Sequence, residues 1–264
     1  MLCACHANAI YENEESKEMP NDAYLDSSVR WRIKAGTLDF HEAGYRSTVE
    51  AILSAGLATE VVGLISAGKE ADVYLCLYKG AELAIKAYRL YRTSHRGGGP
   101  IKVDSIGYLA AHEFEMTYKA WKGGAPAPTP ARRVENMFSM RYLGDSNGPA
   151  PRLKDIELDN PKGLLEATLA GIEAMAKAGV VHGDLSAYNI LVLEGKPWFI
   201  DFSEAVRVDR TGMAPWVRLT EASEALTHGL EALQSYFRKY DLTVETKPFV
   251  ERLVDSLDKF GVMS

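Results

Sequence analysis

Residues 180–193 read VVHGDLSAYNILVL. Two apolar runs, Val180-Val181 and Ile190 to Leu193, bracket an island that holds His182, Asp184, Ser186 and Asn189. Apolar runs of this kind belong to buried strands or helix ends, and a core does not accept polar groups without partners. A carboxylate, a hydroxyl and a carboxamide set between two core segments therefore read as a site held by a rigid frame. Asp201 ends the run KPWFID (196–201), and a short hairpin would return it to the neighbourhood of Asn189.

Asn189 and Asp201 would then offer hard oxygen ligands suited to Mg2+, which is commonly held by few protein groups together with substrate phosphates. Asp184 could orient an attacking hydroxyl. Upstream, Lys86 sits inside the apolar run ELAIKAY (82–88), where an unpaired ammonium is costly. Glu113 is the expected partner, with Glu115 as the competing carboxylate on the same helical stretch. A Lys–Glu pair aimed at phosphates, with Asp, Asn and Asp for hydroxyl and metal, is the protein-kinase set of parts. Each residue alone has a plainer reading: Asp184 as a turn residue, Lys86 as a snorkelling strand residue. His182 reads as a packed, hydrogen-bonded structural residue, and Trp121, Trp198 and Trp216 as core.

The rest of the chain frames these residues. Residues 46–56 (RSTVEAILSAG) form a short helix with Ser47 and Glu50 at capping-box spacing. VVGLIS, ADVYLCLY and AELAIKAY are β-rich, the last two joined at Lys79-Gly80 as a hairpin. A glycine-rich basic stretch, RTSHRGGGPIKVD, reads as a loop, followed by a helix over 105–122, an extended linker APAPTPA, and strands near 131–135 and 137–142. After a Gly/Pro break at 144–151 the chain turns helical, with helices over PKGLLEATLAGIEAMAKAG (161–179), TEASEALTHGLEALQSYFRKY and TKPFVERLVDSLDKFG.

Apolar residues at 47%, charged residues at 25% and a net charge of −6 are those of a soluble globular protein and argue against wholesale coating of nucleic acid or membrane. No stretch is long and apolar enough to span a membrane, and the N-terminus lacks the basic and apolar regions of a secretory signal. The expected location is cytoplasmic. Three cysteines, Cys3, Cys5 and Cys76, make no disulfide framework. Cys3, Cys5 and His6 find no second cluster to complete a metal site.

Five segments together resemble the RIO family of atypical serine/threonine protein kinases, and most closely its type 1 subfamily: ISAGKEADVYLCLYKGAELAIKAYR, HEFEMTYKAW, APRLKDIEL, VVHGDLSAYNILV and FIDFSEAV. The resemblance implies an α+β, two-lobed protein-kinase-like fold with a small β-rich N-lobe and a reduced helical C-lobe. The expected division is a polar tail (1–36), an N-lobe with a preceding helix (37–140), and a hinge with a compact C-lobe lacking the usual activation segment (141–264).

Residue by residue, the resemblance implies that Lys86 contacts the α- and β-phosphates of ATP and pairs with Glu113. Ser66, Gly68 and Lys69 would cover the phosphates, and Ser186 would lie beside the nucleotide. Backbone groups of Arg141 and Leu143 would meet the adenine, although relatives usually carry an acid at Arg141. Asp184 and Asp201 would be catalytic, with Asn189 and Asp201 holding Mg2+ or Mn2+. Implied activities are serine phosphorylation, self-phosphorylation (Ser94 and Ser105 are candidates), and ATP hydrolysis through a phosphoaspartate at Asp201. The implied partner is the maturing small ribosomal subunit, protein and rRNA.

Some features depart from ordinary kinases. Gly183 replaces the arginine that pairs with a phosphorylated activation loop, and without it that form of switching loses its partner. Only 58 residues follow Val206, which is short for a peptide-docking platform. Two alternatives stay open: a small-molecule phosphotransferase of the aminoglycoside or choline kinase type, and an ATP-gated assembly factor with no protein substrate.

Overall fold

The structure, a computed structural model, describes residues 45–68, 70–88, 103–208 and 215–260. Helix α1 (Tyr45–Ser54) leads into β1 (Glu60–Ala67), β2 (Ala71–Tyr78) and β3 (Ala81–Tyr88). Helix α2 (Val103–Lys122) follows, then β4 (Pro130–Val134) and β5 (Met137–Arg141). These strands form one antiparallel sheet in the order β1-β2-β3-β5-β4. Strands β2 and β3 pair from Ala71↔Tyr88 to Tyr78↔Ala81 across the two-residue turn Lys79-Gly80, both at positive φ, as expected of the turn that matches strand twist.

Side chains alternate across a strand, so the sheet buries two different faces. Tyr74, Cys76, Ile85, Ala87 and Met137 pack against Ile52, Leu57 and Ala58 around α1. Ala71, Tyr88 and Phe138 pack against Ala110 of α2. Lys86 shares the α2 face with Tyr88, two residues on. Burial pushes the Cys76 thiol up to about 12, which makes it an inert core residue.

The larger core lies beyond β5. Short strands β6 (Gly144–Asp145) and β7 (Gly148–Pro149) form a small hairpin, followed by a 3-10 turn at Leu153–Asp155. Helix α3 (Pro161–Lys177) buries Leu164, Leu165, Thr168, Ile172, Met175 and Ala176, a helical stripe. Its N-terminus is capped by Asn160, whose side chain accepts the Gly163 N–H at 3.0 Å, with proline at the first helical position. Then come β8 (Val180–Val181), β9 (Ile190–Leu193), β10 (Lys196–Phe199), β11 (Val206–Arg207), α4 (Pro215–Phe237) and α5 (Thr246–Phe260). The helices and the 182–205 segment share one core that includes Phe199, Phe202, Leu226, Leu230 and Leu253. Among the described residues no helix is long and apolar enough to cross a membrane.

Three expectations need correction or a boundary. The APAPTPA stretch is extended but not a free linker: Ala125 and Ala127 are buried, and the Pro126 carbonyl accepts the Phe199 N–H at 2.8 Å. Trp121 is not core. It is 39% exposed on α2, with its ring 5.8 Å from that of Tyr118. The N-terminal tail with Cys3, Cys5 and His6, Lys69, the loop with Ser94, and the side chains of Ser47, Ser105 and Trp216 lie outside the described residues.

Candidate active site

The sheet and the helical core meet at a cavity of about 560 Å3, with walls contributed by Ser66, Gly68, Lys86, Glu113, Asn189 and Asp201 among others. Apolar side chains of Val73, Ala84, Met140, Leu191 and Ile200 line it as well, which suits a flat base. Gly68, in the cavity lining, is closely approached by Ala71. Its N–H donates to the Ala71 carbonyl at 2.9 Å, and a Cβ there would stand 2.7 Å from that oxygen. Any side chain at 68 would clash with the Ala71 carbonyl and force the backbone there to shift.

Lys86 is 9% exposed and Glu113 2%. The Lys86 Nζ donates to Glu113 Oε1 at 2.8 Å and to Asp201 Oδ1 at 2.9 Å. Burial alone would lower the Lys86 pKa, but the two carboxylates outweigh it and hold the ammonium above the usual lysine range. Partial burial tends to raise Asp201, yet Lys86 and the Ser203 hydroxyl, which donates to Oδ1 at 3.0 Å, hold it below the usual carboxylate range. Burial pushes Glu113 up against the pull of Lys86. Lys86 and Ser203 both converge on Asp201 Oδ1, which leaves Oδ2 for a ligand.

The structure also separates Glu113 from Glu115. Glu113 reaches Lys86 and accepts the Phe202 N–H at 3.2 Å, whereas Glu115 is on the outer side and meets Arg207 at 3.0 Å. The β9–β10 hairpin turns at Glu194-Gly195 and brings Asp201 back, with the Ile200 N–H on the Asn189 carbonyl at 3.0 Å. Asn189 spends its amide nitrogen on Asp184, bonding the carbonyl at 2.8 Å and Oδ2 at 2.9 Å. That keeps Asn189 Oδ1 available. Asn189 and Asp201 both line the cavity, and their oxygens are hard donors of a kind that fits Mg2+ completed by phosphate oxygens. Among the described residues no group of three or more His, Cys, Asp or Glu side chains forms a metal cluster, so such an ion would need those phosphates.

His182 is buried; its Nε2 donates to the Ile200 carbonyl at 2.9 Å, and its ring lies 4.8 Å from that of Phe202. Burial lowers its pKa, so it stays neutral and structural. Gly183 has φ +82°, and a Cβ would fall 1.8 Å from the Glu204 carbonyl oxygen. An arginine cannot stand there, whatever its side chain would do.

Ser186 is not brought to the cavity. Its hydroxyl accepts the Tyr188 N–H at 3.3 Å within the turn. Asp184 is exposed beside Asn189 at the mouth rather than in the lining. Arg141 and Leu143 both line the cavity. The Leu143 carbonyl is taken by the Ala150 N–H at 2.9 Å, and the Arg141 guanidinium stacks on the Trp198 ring at 4.9 Å, which accommodates the basic side chain. Sequence reading missed Tyr88, whose hydroxyl donates to Glu113 Oε2, and the orienting role of Ser203. The signal for Tyr88 was present, because period two puts it on the face of Lys86.

A family model described as the RIO domain matches residues 72–248, more than half of the chain. The chain is 29% identical over 175 residues to the "RIO-type serine/threonine-protein kinase Rio1" of Thermoplasma acidophilum, covering 65% of this chain and 87% of that protein. It is 28% identical over 217 residues to the "Serine/threonine-protein kinase RIO1" of Homo sapiens, covering 74% of this chain but only 36% of that protein. Among solved structures, it is similar to that of the Rio2 kinase-ADP/Mg2+-phosphoaspartate complex from Chaetomium thermophilum. That match has a TM-score of 0.61 at 20% identity and covers 90% of this chain and 80% of that one. At this identity the match speaks for the kinase-like fold.

Proposed function

This chain belongs to the RIO family of atypical serine/threonine kinases, on its type 1 side, and from that premise we propose that it is a Mg-ATP-dependent phosphotransferase acting on serine hydroxyls, on itself and on water. The observation that carries the reading is Lys86, held between Glu113 and Asp201 in the wall of the cavity. In kinases that lysine–glutamate pair and the metal-holding aspartate must be in place together.

In this reading Lys86 binds the α- and β-phosphates, the turn at Gly68 covers them, and the Leu143 N–H meets the adenine. Asn189 Oδ1 and Asp201 Oδ2 would hold Mg2+, which supplies charge neutralisation on the transferring phosphoryl group when bound. Asp184, oriented by Asn189, accepts the proton of the attacking hydroxyl. In place of a serine hydroxyl, Asp201 Oδ2 would attack the γ-phosphorus of ATP, with ADP leaving, to form an acyl phosphate that water then hydrolyses to free the carboxylate and phosphate. Most of the acceleration comes from positioning and charge stabilisation. A small-molecule acceptor would call for an acidic pocket, but Glu221, Glu224 and Glu231 are exposed on α4 and none lines the cavity.

The test is phosphate release from Mg·ATP and self-labelling by the purified chain, with Asp184→Asn and Asp201→Asn in parallel. Both variants should lose turnover, and an acid-labile label should vanish with Asp201→Asn. Turnover unaffected by both would reject the assignment. The cellular role that kinship suggests, cytoplasmic maturation of the small ribosomal subunit, is tested by co-sedimentation with that particle in extract with and without nucleotide.

A further inference from the structure

Tyr88 is the last residue of β3 and is 4% exposed. Its backbone is gripped at both ends: its N–H donates to the Asn136 carbonyl at 3.0 Å, and its carbonyl accepts Asn136 Nδ2 at 2.7 Å. The strand end is thus anchored on the β4–β5 turn. From there the ring lies 5.2 Å from Lys86 Nζ, and the hydroxyl donates to Glu113 Oε2. Glu113 Oε1 takes Lys86 and the Phe202 N–H. The two oxygens are therefore divided between different partners. The terminal torsion of a glutamate is broad and two-fold when free; with both oxygens engaged it has one setting.

We propose that Tyr88 is a positioning residue for phosphoryl transfer: its hydroxyl locks Glu113, which keeps α2 docked and Lys86 aimed into the cavity. The inference rests on the reading of Lys86 as the phosphate-binding lysine. It explains how this helix is held in a chain that carries Gly183 where an arginine would answer to a phosphorylated activation loop. Neighbouring contacts point the same way, since His112 Nε2 donates to the Ala205 carbonyl at 2.9 Å and Arg207 meets Glu115. Those bonds dock α2 from the other side, whereas among the described residues Tyr88 is the one that reaches the oxygen of Glu113 that Lys86 leaves free.

Tyr88→Phe keeps the ring under Lys86 and removes only the hydroxyl. In the full chain it should lower kcat for Mg·ATP about tenfold, the scale of a lost hydrogen bond to a charged group, while KM changes less than about twofold. Hydrogen exchange of the α2 amides at 107–116 should quicken by a similar factor. Placed on Glu113→Gln, the same substitution should add little, because its effect passes through Glu113. Wild-type kcat and wild-type exchange in Tyr88→Phe would overturn the proposal, as would losses that simply add to those of Glu113→Gln. Should the wild type not turn over at all, the phosphotransferase reading falls, and the exchange comparison by itself decides whether Tyr88 locks α2.

Discussion

Replacing Gly183 by alanine tests the frame of the site directly, because the structure separates two costs that usually arrive together. The first is backbone conformation: at φ +82° an L-residue is disfavoured by about 1–2 kcal/mol. The second is space, since the new Cβ would stand 1.8 Å from the Glu204 carbonyl oxygen, and Glu204 must move by more than an ångström to relieve it. Glu204 lies two residues before β11, whose Val206 pairs with Val181 of β8. Its displacement therefore pulls on the strand that leads into the 182–189 island. Overpacking of this kind costs about 1–3 kcal/mol, for a total of about 2–5 kcal/mol. Gly195 is the internal control: it has φ +69° and nothing within 4 Å of its would-be Cβ, so Gly195→Ala should carry only the conformational cost of about 1–2 kcal/mol. At about 2–4 °C per kcal/mol for a chain of this size, thermal unfolding should resolve the two variants. Gly183→Ala should also lose turnover, and Gly195→Ala should retain it. Equal losses of stability in the two variants would refute the steric argument.

Other consequences are open to measurement. Glu113→Ala, which leaves Lys86 buried with Asp201 alone, should destabilise by about 3 kcal/mol or more in denaturant titration, and Glu113→Gln by clearly less. His182 is held neutral by burial, so the unfolded chain binds a proton below about pH 6.5 that the folded chain refuses; stability should fall as pH drops through that value, by at most about 1.4 kcal/mol per pH unit, and His182→Gln should flatten the slope between pH 5 and 7. Asn160→Ala removes the cap of α3 and should cost about 1 kcal/mol in unfolding free energy while leaving kcat unchanged, as Asn160 lies outside the cavity.

Much of the site was legible because its signals are local. Lys86 in an apolar strand announced a partner, and the spacing from Asn189 to Asp201 left room for one tight hairpin, which the turn at Glu194-Gly195 supplies. Period two in ADVYLCLY and AELAIKAY fixed which side chains share a face, and the apolar stripe of 161–177 marked its helix. Each of these rests on steric rules that act within a few residues. Trp121 shows the limit: composition suggests burial, but among the described residues the helix face it occupies leaves it 39% exposed.

By itself, the sequence determined the long strands and helices, the polar island and the residue types able to bind phosphate and metal. The short pairs at Gly144–Asp145 with Gly148–Pro149 and at Val206–Arg207 with Val180–Val181 emerged only in the structure. Tertiary packing decided the partners. Lys86 and Asp201 lie 115 residues apart, and Glu113 and Glu115 are equally good acids by spacing. Only the docking of α2 against β3 and the 201–207 segment turns Glu113 inward to Lys86, Tyr88 and the Phe202 N–H, and leaves Glu115 outside with Arg207. The same packing brings the Glu204 carbonyl against Gly183 and so makes glycine obligatory there. The physical reason is one of range: dihedral and periodic preferences are set by adjacent residues, whereas the pairing of buried charges follows from which faces of distant elements exclude water together.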